Sequence, residues 1–113
     1  METKRQQKIA RLLQKELSEI FLLEAKNVMP GILISVSEVR VSPDLSIAKA
    51  YLSIFPANVA EQVMELIEKQ NRTFRHELAS RTRHQLRKVP ELSFFVDESL
   101  DYLENIDKLL SNG

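Results

Sequence analysis

The sequence contains no cysteine and only two glycines in 113 residues. The absence of cysteine excludes disulfides, thiolate metal sites and cysteine nucleophiles, and it fits a reducing compartment. With only Gly31 and Gly113, the chain has no glycine-rich loop of the kind that cradles phosphates in nucleotide-binding proteins. Most common catalytic and cofactor-binding motifs are therefore absent from this sequence.

Long apolar runs are also missing. The longest stretch of consecutive apolar residues has four members, at positions 20–23, whereas a transmembrane helix needs roughly 20. The first residues are basic but lack the apolar stretch of a signal peptide. We therefore expect a soluble, cytoplasmic protein. Residues 1–113 correspond to a single domain, which can bury a core without metals or crosslinks.

Few side chains are available for catalysis or metal binding. The two histidines, His76 and His84, lie in an arginine-rich region with no third ligand at a useful spacing, so we expect polar surface histidines and no metal. Asp97 and Glu98 are adjacent carboxylates, but adjacent residues after a strand more often face apart than cooperate in acid–base chemistry. The sequence thus predicts no enzyme, no cofactor and no small-molecule substrate.

Residues 38–55 carry the clearest structural pattern. Two runs rich in β-branched and aromatic residues flank the polar break SPDLS at 42–46, where proline presets φ and Asp44 can bond its own backbone. The second run alternates with period two, which is typical of a half-buried strand. This pattern predicts a β-hairpin whose inward-facing residues are Ala48, Ala50, Leu52 and Ile54. The small alanines would let a helix lie close on the sheet.

Helical and strand periodicities divide the rest of the chain. Apolar spacings of three and four predict a helix over residues 3–25, and alternation predicts a first strand over 32–41. The strand pattern changes phase near Ser37 and Glu38, which indicates a β-bulge there or an inward face that ends at Glu38. A short third strand at 92–96 precedes a last helix, a C-terminal extension over residues 99–113.

A second helical stripe begins near residue 59 and is interrupted by Gln70. Its start resembles a capping box formed by Asn58 and Glu61. We expect this helix to kink or break at Ala79 and Ser80, resume, and end before the proline at position 90. The element order α-β-β-α-(kink)-α-β-α predicts an α+β fold, in which a small three-stranded sheet carries helices on one face.

Charge is distributed unevenly, although 16 basic and 16 acidic side chains give a net charge of zero. Residues 69–88 contain seven basic residues and one acidic residue, whereas residues 91–107 contain six acidic residues and no basic one. Such asymmetry favours a nucleic-acid face on a neutral protein. Arginine forks suit bidentate phosphate contacts, and the basic segment coincides with the weakest apolar periodicity. A solvated helix face is the alternative interpretation.

We predict an RNA-binding surface built from this basic segment and from the start of the first helix. Outward-turned backbone amides at the kink would add donors, since helix N-termini bind phosphate. Tyr51, on the outer face of the hairpin, is a candidate for base stacking or, equally, a cross-strand packing residue. The predicted RNA-binding residues are Lys4, Arg5, Lys8, Arg11, Arg72, Arg75, Ala79, Ser80, Arg81, Arg83, Arg87 and Lys88.

Three sequence patterns follow one another along the chain. The pattern IAxLLQxELSEI occupies residues 9–20, VxVSPDLxxAKxYxS occupies 39–53, and VPELxFxxDxSL occupies 89–100, followed by IDxLL at 106–110. In this order they resemble the ribosome-binding factor A family, a group of bacterial small-subunit assembly factors. Each pattern alone is moderately specific. The resemblance covers nearly the whole chain.

The resemblance implies a type II K-homology-like fold and a role in ribosome biogenesis. It implies binding to the immature 30S subunit at its 16S rRNA, late in rRNA processing and notably in the cold. In this family a kinked helix pair with a small residue at the kink replaces the glycine loop of ordinary K-homology domains, and Ala79 with Ser80 fits that position. We expect a monomeric, non-catalytic assembly factor.

A protein-interaction or dimerisation module is the alternative from another functional class. In that interpretation the basic segment of one copy would meet the acidic C-terminal helix of another. The charge asymmetry suits this arrangement equally well.

Overall fold

A computed structural model describes residues 2–27 and 31–97 of the chain. The predicted helix over residues 99–113 lies outside the described residues. Within them, the α-β-β-α-α-β order confirms the predicted α+β class and agrees with a type II K-homology-like fold. The elements are α1 (Lys4–Asn27), β1 (Leu33–Val41), β2 (Ile47–Phe55), a 3-10 turn (Ala57–Val59), α2 (Ala60–Lys69), α3 (Asn71–Thr82) and β3 (Glu91–Val96).

Strand β2 is the centre of a three-stranded sheet with the order β1-β2-β3. It pairs antiparallel with β1, which confirms the predicted hairpin, and parallel with β3. A parallel pair needs a long connection, and α2 with α3 supplies it. The predicted inward face of β2 is also confirmed, because Ala48, Ala50 and Leu52 are fully buried and Ile54 is buried as well.

The predicted β-bulge lies at Ser37. The pairing register shifts between Val36, which faces Leu52, and Glu38, which faces Tyr51. Ser37 is the extra residue, and it lets both Val36 and Val39 point into the core. Helix α1 satisfies the carbonyls of the bulge, because the Gln14 side-chain amide donates to the Val36 oxygen at 3.1 Å and to the Ser37 oxygen at 3.3 Å.

Three aromatic rings join α1, α3 and β3 in the core. The ring of Phe21 in α1 lies 4.9 Å from Phe74 in α3 and 5.8 Å from Phe94 in β3, measured between centroids. Phe74 and Phe94 are 6.2 Å apart and nearly edge-on. Pairs in such geometries contribute about 0.5–1.5 kcal/mol beyond the burial of their area. This triangle fixes α3 beside α1 over the inner face of the sheet.

The break between the two helices lies at Gln70, so the predicted kink at Ala79 and Ser80 is wrong. Gln70 has φ −101° and ψ 13°, outside helical geometry, and it separates α2 from α3. Ala79 and Ser80 lie inside α3. The Asn71 side-chain amide donates to the Leu92 carbonyl at 3.1 Å, which ties the first turn of α3 to β3.

A buried threonine explains why the apolar pattern ended early. Thr82 is fully buried and continues the stripe of Phe74 and Leu78 at a spacing of four residues. Its hydroxyl donates to the Leu78 carbonyl at 2.8 Å, so the polar atom costs little in the core. The helix does not resume afterwards: Gln85 and Leu86 donate their amides to the Thr82 carbonyl in one closing turn, and residues 86–90 are not helical.

The structure also contradicts the predicted helix cap and shows a different one. Helix α2 follows the 3-10 turn and has no side-chain cap hydrogen bond, so the expected cap from Asn58 is wrong. A capping box instead begins α1. The Thr3 amide donates to Gln6 Oε1 at 2.8 Å, and the Gln6 amide donates to Thr3 Oγ1 at 3.1 Å. Gln6 Nε2 also donates to the Val41 carbonyl at 2.9 Å, which anchors α1 to the end of β1.

Arg81 of α3 contacts three carboxylates, two on α1 and one on α3 itself. Its Nη1 lies 2.9 Å from Glu19 Oε2 and 3.4 Å from Glu16 Oε2, and its Nε lies 3.4 Å from Glu77 Oε1. Burial lowers the pKa of Arg81, but the hydrogen bonds and charges of Glu16 and Glu77 outweigh it, and the pKa is raised overall. The guanidinium is therefore a permanent cation in this interhelical cluster.

Replacement of Arg81 by alanine should destabilise the fold. We expect the free energy of unfolding of Arg81→Ala to fall by about 1 kcal/mol, because one guanidinium serves three carboxylates and the side chain of Glu16 is only 16% exposed. Urea denaturation measures this change. Arg83→Ala is the matched control, since Arg83 is exposed and forms no ion pair within the described part of the chain. Equal midpoints for the two variants would contradict a stabilising role for the cluster.

Replacement of Gln6 by alanine should cost more than replacement of its neighbour. Gln6 is 4% exposed, and Gln6→Ala leaves the Thr3 amide and the Val41 carbonyl without their side-chain partner. The expected loss is about 1–3 kcal/mol. Gln7→Ala removes an exposed side chain of the same type and should change stability by less than about 0.5 kcal/mol. Thermal melting followed by circular dichroism compares the pair, and similar losses would refute the anchoring role of Gln6.

Candidate nucleic-acid interface

One face of α3 forms the wall of a groove, here named the arginine groove. Its residues Arg72, Arg75, Ala79 and Arg83 are three or four positions apart, so helical geometry places them along one face. Arg83 follows the helix in helical conformation and prolongs this row. The groove encloses about 530 Å³. Its lining consists of Arg72, Arg75, His76, Ala79, Arg83, Leu86, Arg87 and Val89.

The arginine groove is strongly cationic. Four arginines line it, and none of the described residues in its lining carries a carboxylate. Arg75 Nη2 donates to the Val89 carbonyl at 3.1 Å, which ties α3 to the segment before β3. Arg72, Arg83 and Arg87 are exposed and form no ion pair within the described part of the chain. Their guanidinium donors are therefore open to an anionic ligand.

A second groove, the hairpin groove, lies between the start of α1, the β1–β2 turn and residues 85–90. It encloses about 800 Å³. Its lining combines five apolar side chains with four exposed cations from α1 and from residues 87–88, and these cations are here named the cationic rim. The cations are Arg5, Lys8, Arg87 and Lys88, the apolar residues are Ile9, Leu12, Leu45, Leu86 and Pro90, and the remaining polar residues are Asp44, Ser46 and Gln85.

The two grooves adjoin, because Leu86 and Arg87 line both of them. The structure thus brings together two basic groups that are about 70 positions apart in the sequence. The predicted cations that line one groove or both are Arg5, Lys8, Arg72, Arg75, Arg83, Arg87 and Lys88.

The other predicted residues lie elsewhere or act differently. Lys4 and Arg11 are exposed on α1 and line neither groove. Ala79 lines the arginine groove as a small side chain of a continuous helix, and exposed Ser80 lines neither groove. The predicted break at these two residues supplies no outward amides, since α3 runs through them. Arg81 contacts the carboxylates of α1 and α3.

The hairpin turn places a carboxylate in the second groove. Asp44 Oδ1 accepts hydrogen bonds from Ser42 Oγ at 2.7 Å, from Ser46 Oγ at 2.8 Å and from the Ser46 amide at 3.2 Å. The hydroxyl of Ser42, then that of Ser46, lowers the pKa of Asp44, so this side chain is ionised at neutral pH. Leu45 has a positive φ of 63° and turns the chain back to β2.

The sequence reasoning missed the polar and apolar residues of the hairpin groove. Asp44 and Leu45 belong to the SPDLS break, which indicated only a turn, and Leu12 belonged to the apolar stripe of α1. Leu12, Leu45 and Leu86 are only partly buried because they line the groove. No periodicity in the sequence separates such residues from ordinary core residues.

Tyr51 packs across the strands on the outer face of the sheet. Its ring stacks on Phe95 of β3 with centroids 5.6 Å apart, which confirms the packing interpretation. His76 lines the arginine groove, and His84 is exposed in the turn after α3. Within residues 2–27 and 31–97, His, Cys, Asp and Glu side chains form no group of three that could hold a metal ion. No helix in those ranges is long and apolar enough to cross a membrane.

Comparison with known proteins identifies the family. The family model for ribosome-binding factor A matches residues 5–110. The chain is 55% identical over 108 residues to ribosome-binding factor A of Christiangramia forsetii, covering 95% of this chain and 82% of that protein. It is 48% identical over 112 residues to the Flavobacterium johnsoniae protein of the same name, with coverages of 98% and 86%.

A crystal structure and a fitted homology model of the same family share the fold. The crystal structure of ribosome-binding factor A from Thermus thermophilus superimposes with a TM-score of 0.64 and 26% identity, over 80% of this chain and 94% of that one. A homology model of the Thermus thermophilus protein, fitted into a cryo-EM map of its complex with 30S, superimposes with a TM-score of 0.61 and 26% identity, over 79% of this chain and 91% of that one. The chain belongs to the ribosome-binding factor A family.

Proposed function

We propose that this chain binds the small ribosomal subunit through its 16S rRNA, with the arginine groove and the cationic rim of the hairpin groove as the contact surface. The binding is non-catalytic, and it serves the maturation of the subunit. The observation that carries the proposal is the row of seven cations along the two adjoining grooves. A homology model of one related protein was fitted into a cryo-EM map of its complex with 30S, which supports a ribosomal partner.

The arginine groove suits the sugar–phosphate backbone. An arginine fork makes two parallel hydrogen bonds to one phosphate, so Arg72, Arg83 and Arg87 together match several phosphates of a folded RNA. The helical wall holds Arg72 and Arg75 at a fixed spacing, which favours one geometry of the RNA backbone. Phosphate contacts supply affinity and orientation without reading the sequence. Recognition along this groove therefore depends mainly on the shape of the rRNA.

The position of Arg81 limits the surface. Its Nε and Nη1 are bonded to three carboxylates, and Glu16 and Glu19 leave little positive potential on that side of α3. We therefore exclude Arg81 from the contact surface and assign it to the packing of α1 on α3. Lys4 and Arg11 lie on α1 outside both linings and contribute to long-range attraction of RNA.

Charge reversal in the arginine groove should weaken binding to the subunit without unfolding the protein. We expect Arg72→Glu with Arg83→Glu to bind small subunits at least about tenfold more weakly, because both side chains are exposed and unpaired within the described residues. Co-sedimentation with purified small subunits at several salt concentrations measures this. The slope of log affinity against log salt should become shallower by about two.

The control carries the same change in charge at another place. Lys15→Glu with Lys49→Glu reverses two exposed cations that line neither groove, and it should bind nearly as tightly as the parent. Equal weakening in the two double variants would mean that only net charge matters. Unchanged binding by the groove variant, with an unchanged melting temperature, would refute the proposed surface. A dimer that dissociates at high salt, in protein that binds no subunit, would support the interaction module instead.

A further inference from the structure

We propose that the hairpin groove holds one unstacked nucleobase that carries an exocyclic amine, with the neighbouring phosphates on its cationic rim. The inference rests on the proposed function. It adds a site that recognises a base to a surface whose other contacts recognise the shape of the RNA backbone. The bases that fit are guanine, cytosine and adenine, and the base that is disfavoured is uracil.

The apolar lining points to a flat, weakly polar group. Leu12, Leu45 and Leu86 are partly buried side chains on three separate segments that meet in this groove, and the buried residues Ile9 and Pro90 belong to the same lining. A phosphate gains nothing from such a surface, whereas the face of a base loses little hydration there and gains dispersion contacts. The arginine groove has a different lining, because four of its eight residues are arginines.

The cationic rim points to a nucleotide rather than to an uncharged ligand. Arg5 and Lys8 come from α1, and Arg87 with Lys88 comes from the segment before β3, so two separate segments supply the cations. Arg87 also lines the arginine groove, which makes the two linings continuous. A strand that follows the arginine groove can therefore reach the hairpin groove without leaving the basic surface.

Asp44 selects the kind of base. Asp44 lines the same groove as the four cations, and a carboxylate there repels phosphate and favours a hydrogen-bond donor on the ligand. The three hydrogen bonds that Asp44 accepts from Ser42 and Ser46 all end on Oδ1, and Oδ2 accepts none of them. The exocyclic amine of cytosine, adenine or guanine can donate to Oδ2. In uracil the only edge donor lies between two carbonyl oxygens, which the carboxylate repels.

The turn holds Asp44 and Leu45 ready for a ligand. The Ser42 hydroxyl accepts hydrogen bonds from the Ser46 amide at 3.2 Å and the Ile47 amide at 3.0 Å while it donates to Asp44. Leu45 adopts a left-handed φ of 63°, which is uncommon for a residue with a branched side chain. A glycine would adopt this backbone at less cost, but it would not line the groove with an apolar side chain.

The test compares two labelled RNA hexanucleotides, oligo(C) and oligo(U), by fluorescence anisotropy with the intact chain. The parent protein should bind oligo(C) about fivefold more tightly than oligo(U). Asp44→Asn keeps the size of the side chain and removes its charge. The ratio should then fall toward one, and oligo(U) should bind more tightly than before because repulsion of phosphate is relieved.

Two further variants serve as a charge control and as an independent test of the groove. Glu61→Gln removes an exposed carboxylate that lines neither groove, so the ratio should stay at the parent value. Leu12→Ser removes part of the apolar lining but no charge, and it should weaken oligo(C) binding several-fold. This second variant tests the groove even if Asp44→Asn melts too early to be compared.

The outcomes separate the inference from the proposed function. Equal binding of the two oligonucleotides, unchanged by Asp44→Asn and by Leu12→Ser, would overturn the base site while RNA binding stands. Binding to small subunits with no binding to either hexanucleotide would also overturn it. Absence of binding to both subunits and oligonucleotides would refute the proposed function as well.

Discussion

The parallel pairing of β3 with β2 is the constraint on which both grooves depend. A parallel neighbour for β2 requires the chain to return along the sheet, and α2 with α3 makes that return. At the start of β3 the Glu91 amide donates to the Ser46 carbonyl at 2.8 Å. This hydrogen bond holds residues 85–90 next to the hairpin turn and near the start of α1. The wall shared by the two grooves is therefore a product of strand pairing, although it contains no regular structure itself.

The distribution of charge follows from helix geometry rather than from composition. Arg81 and Arg83 are two positions apart, which corresponds to a rotation of about 200° around a helix axis. Arg81 consequently faces the carboxylates of α1, whereas Arg83 lines the arginine groove. Glu16 and Glu19 are neutralised in the same cluster. A protein with zero net charge thus keeps three carboxylates in an interhelical cluster with Arg81 and presents a separate cationic surface.

The sequence patterns that predicted the fold are local and strong. Alternation along β2 identified the buried face, and one change of phase located the bulge at Ser37. The helix break was misplaced for a physical reason, because Thr82 fills a core position that an apolar residue usually fills. The spacing of Thr3 and Gln6 is that of a capping box, a signal that the periodicity of apolar residues does not report.

The sequence predicted the basic residues of the candidate site but not the other residues of the hairpin groove. Basic residues at the two ends of the surface were visible as clusters of charge, since Arg72, Arg83 and Arg5 all lie in basic stretches. Which arginine bonds a carboxylate of another helix depends on tertiary packing, and no sequence spacing between Glu16 and Arg81 reports it. Three segments form the hairpin groove, and they meet only in the folded chain. The sequence therefore predicted a turn role for Asp44 but no role in a binding site.

The bulge also determines how β1 responds to changes in length. Side chains alternate along a strand, so deletion of the extra residue Ser37 would restore regular alternation and keep Val36 and Val39 on the core side. A substitution at the same position changes only an exposed side chain whose hydroxyl donates to the Tyr51 carbonyl. In terms of mutational tolerance, β1 can lose the residue between Val36 and Glu38 without turning a polar side chain into the core, and the cost is the loss of the hydrogen bonds that Ser37 makes with Gln14 and Tyr51.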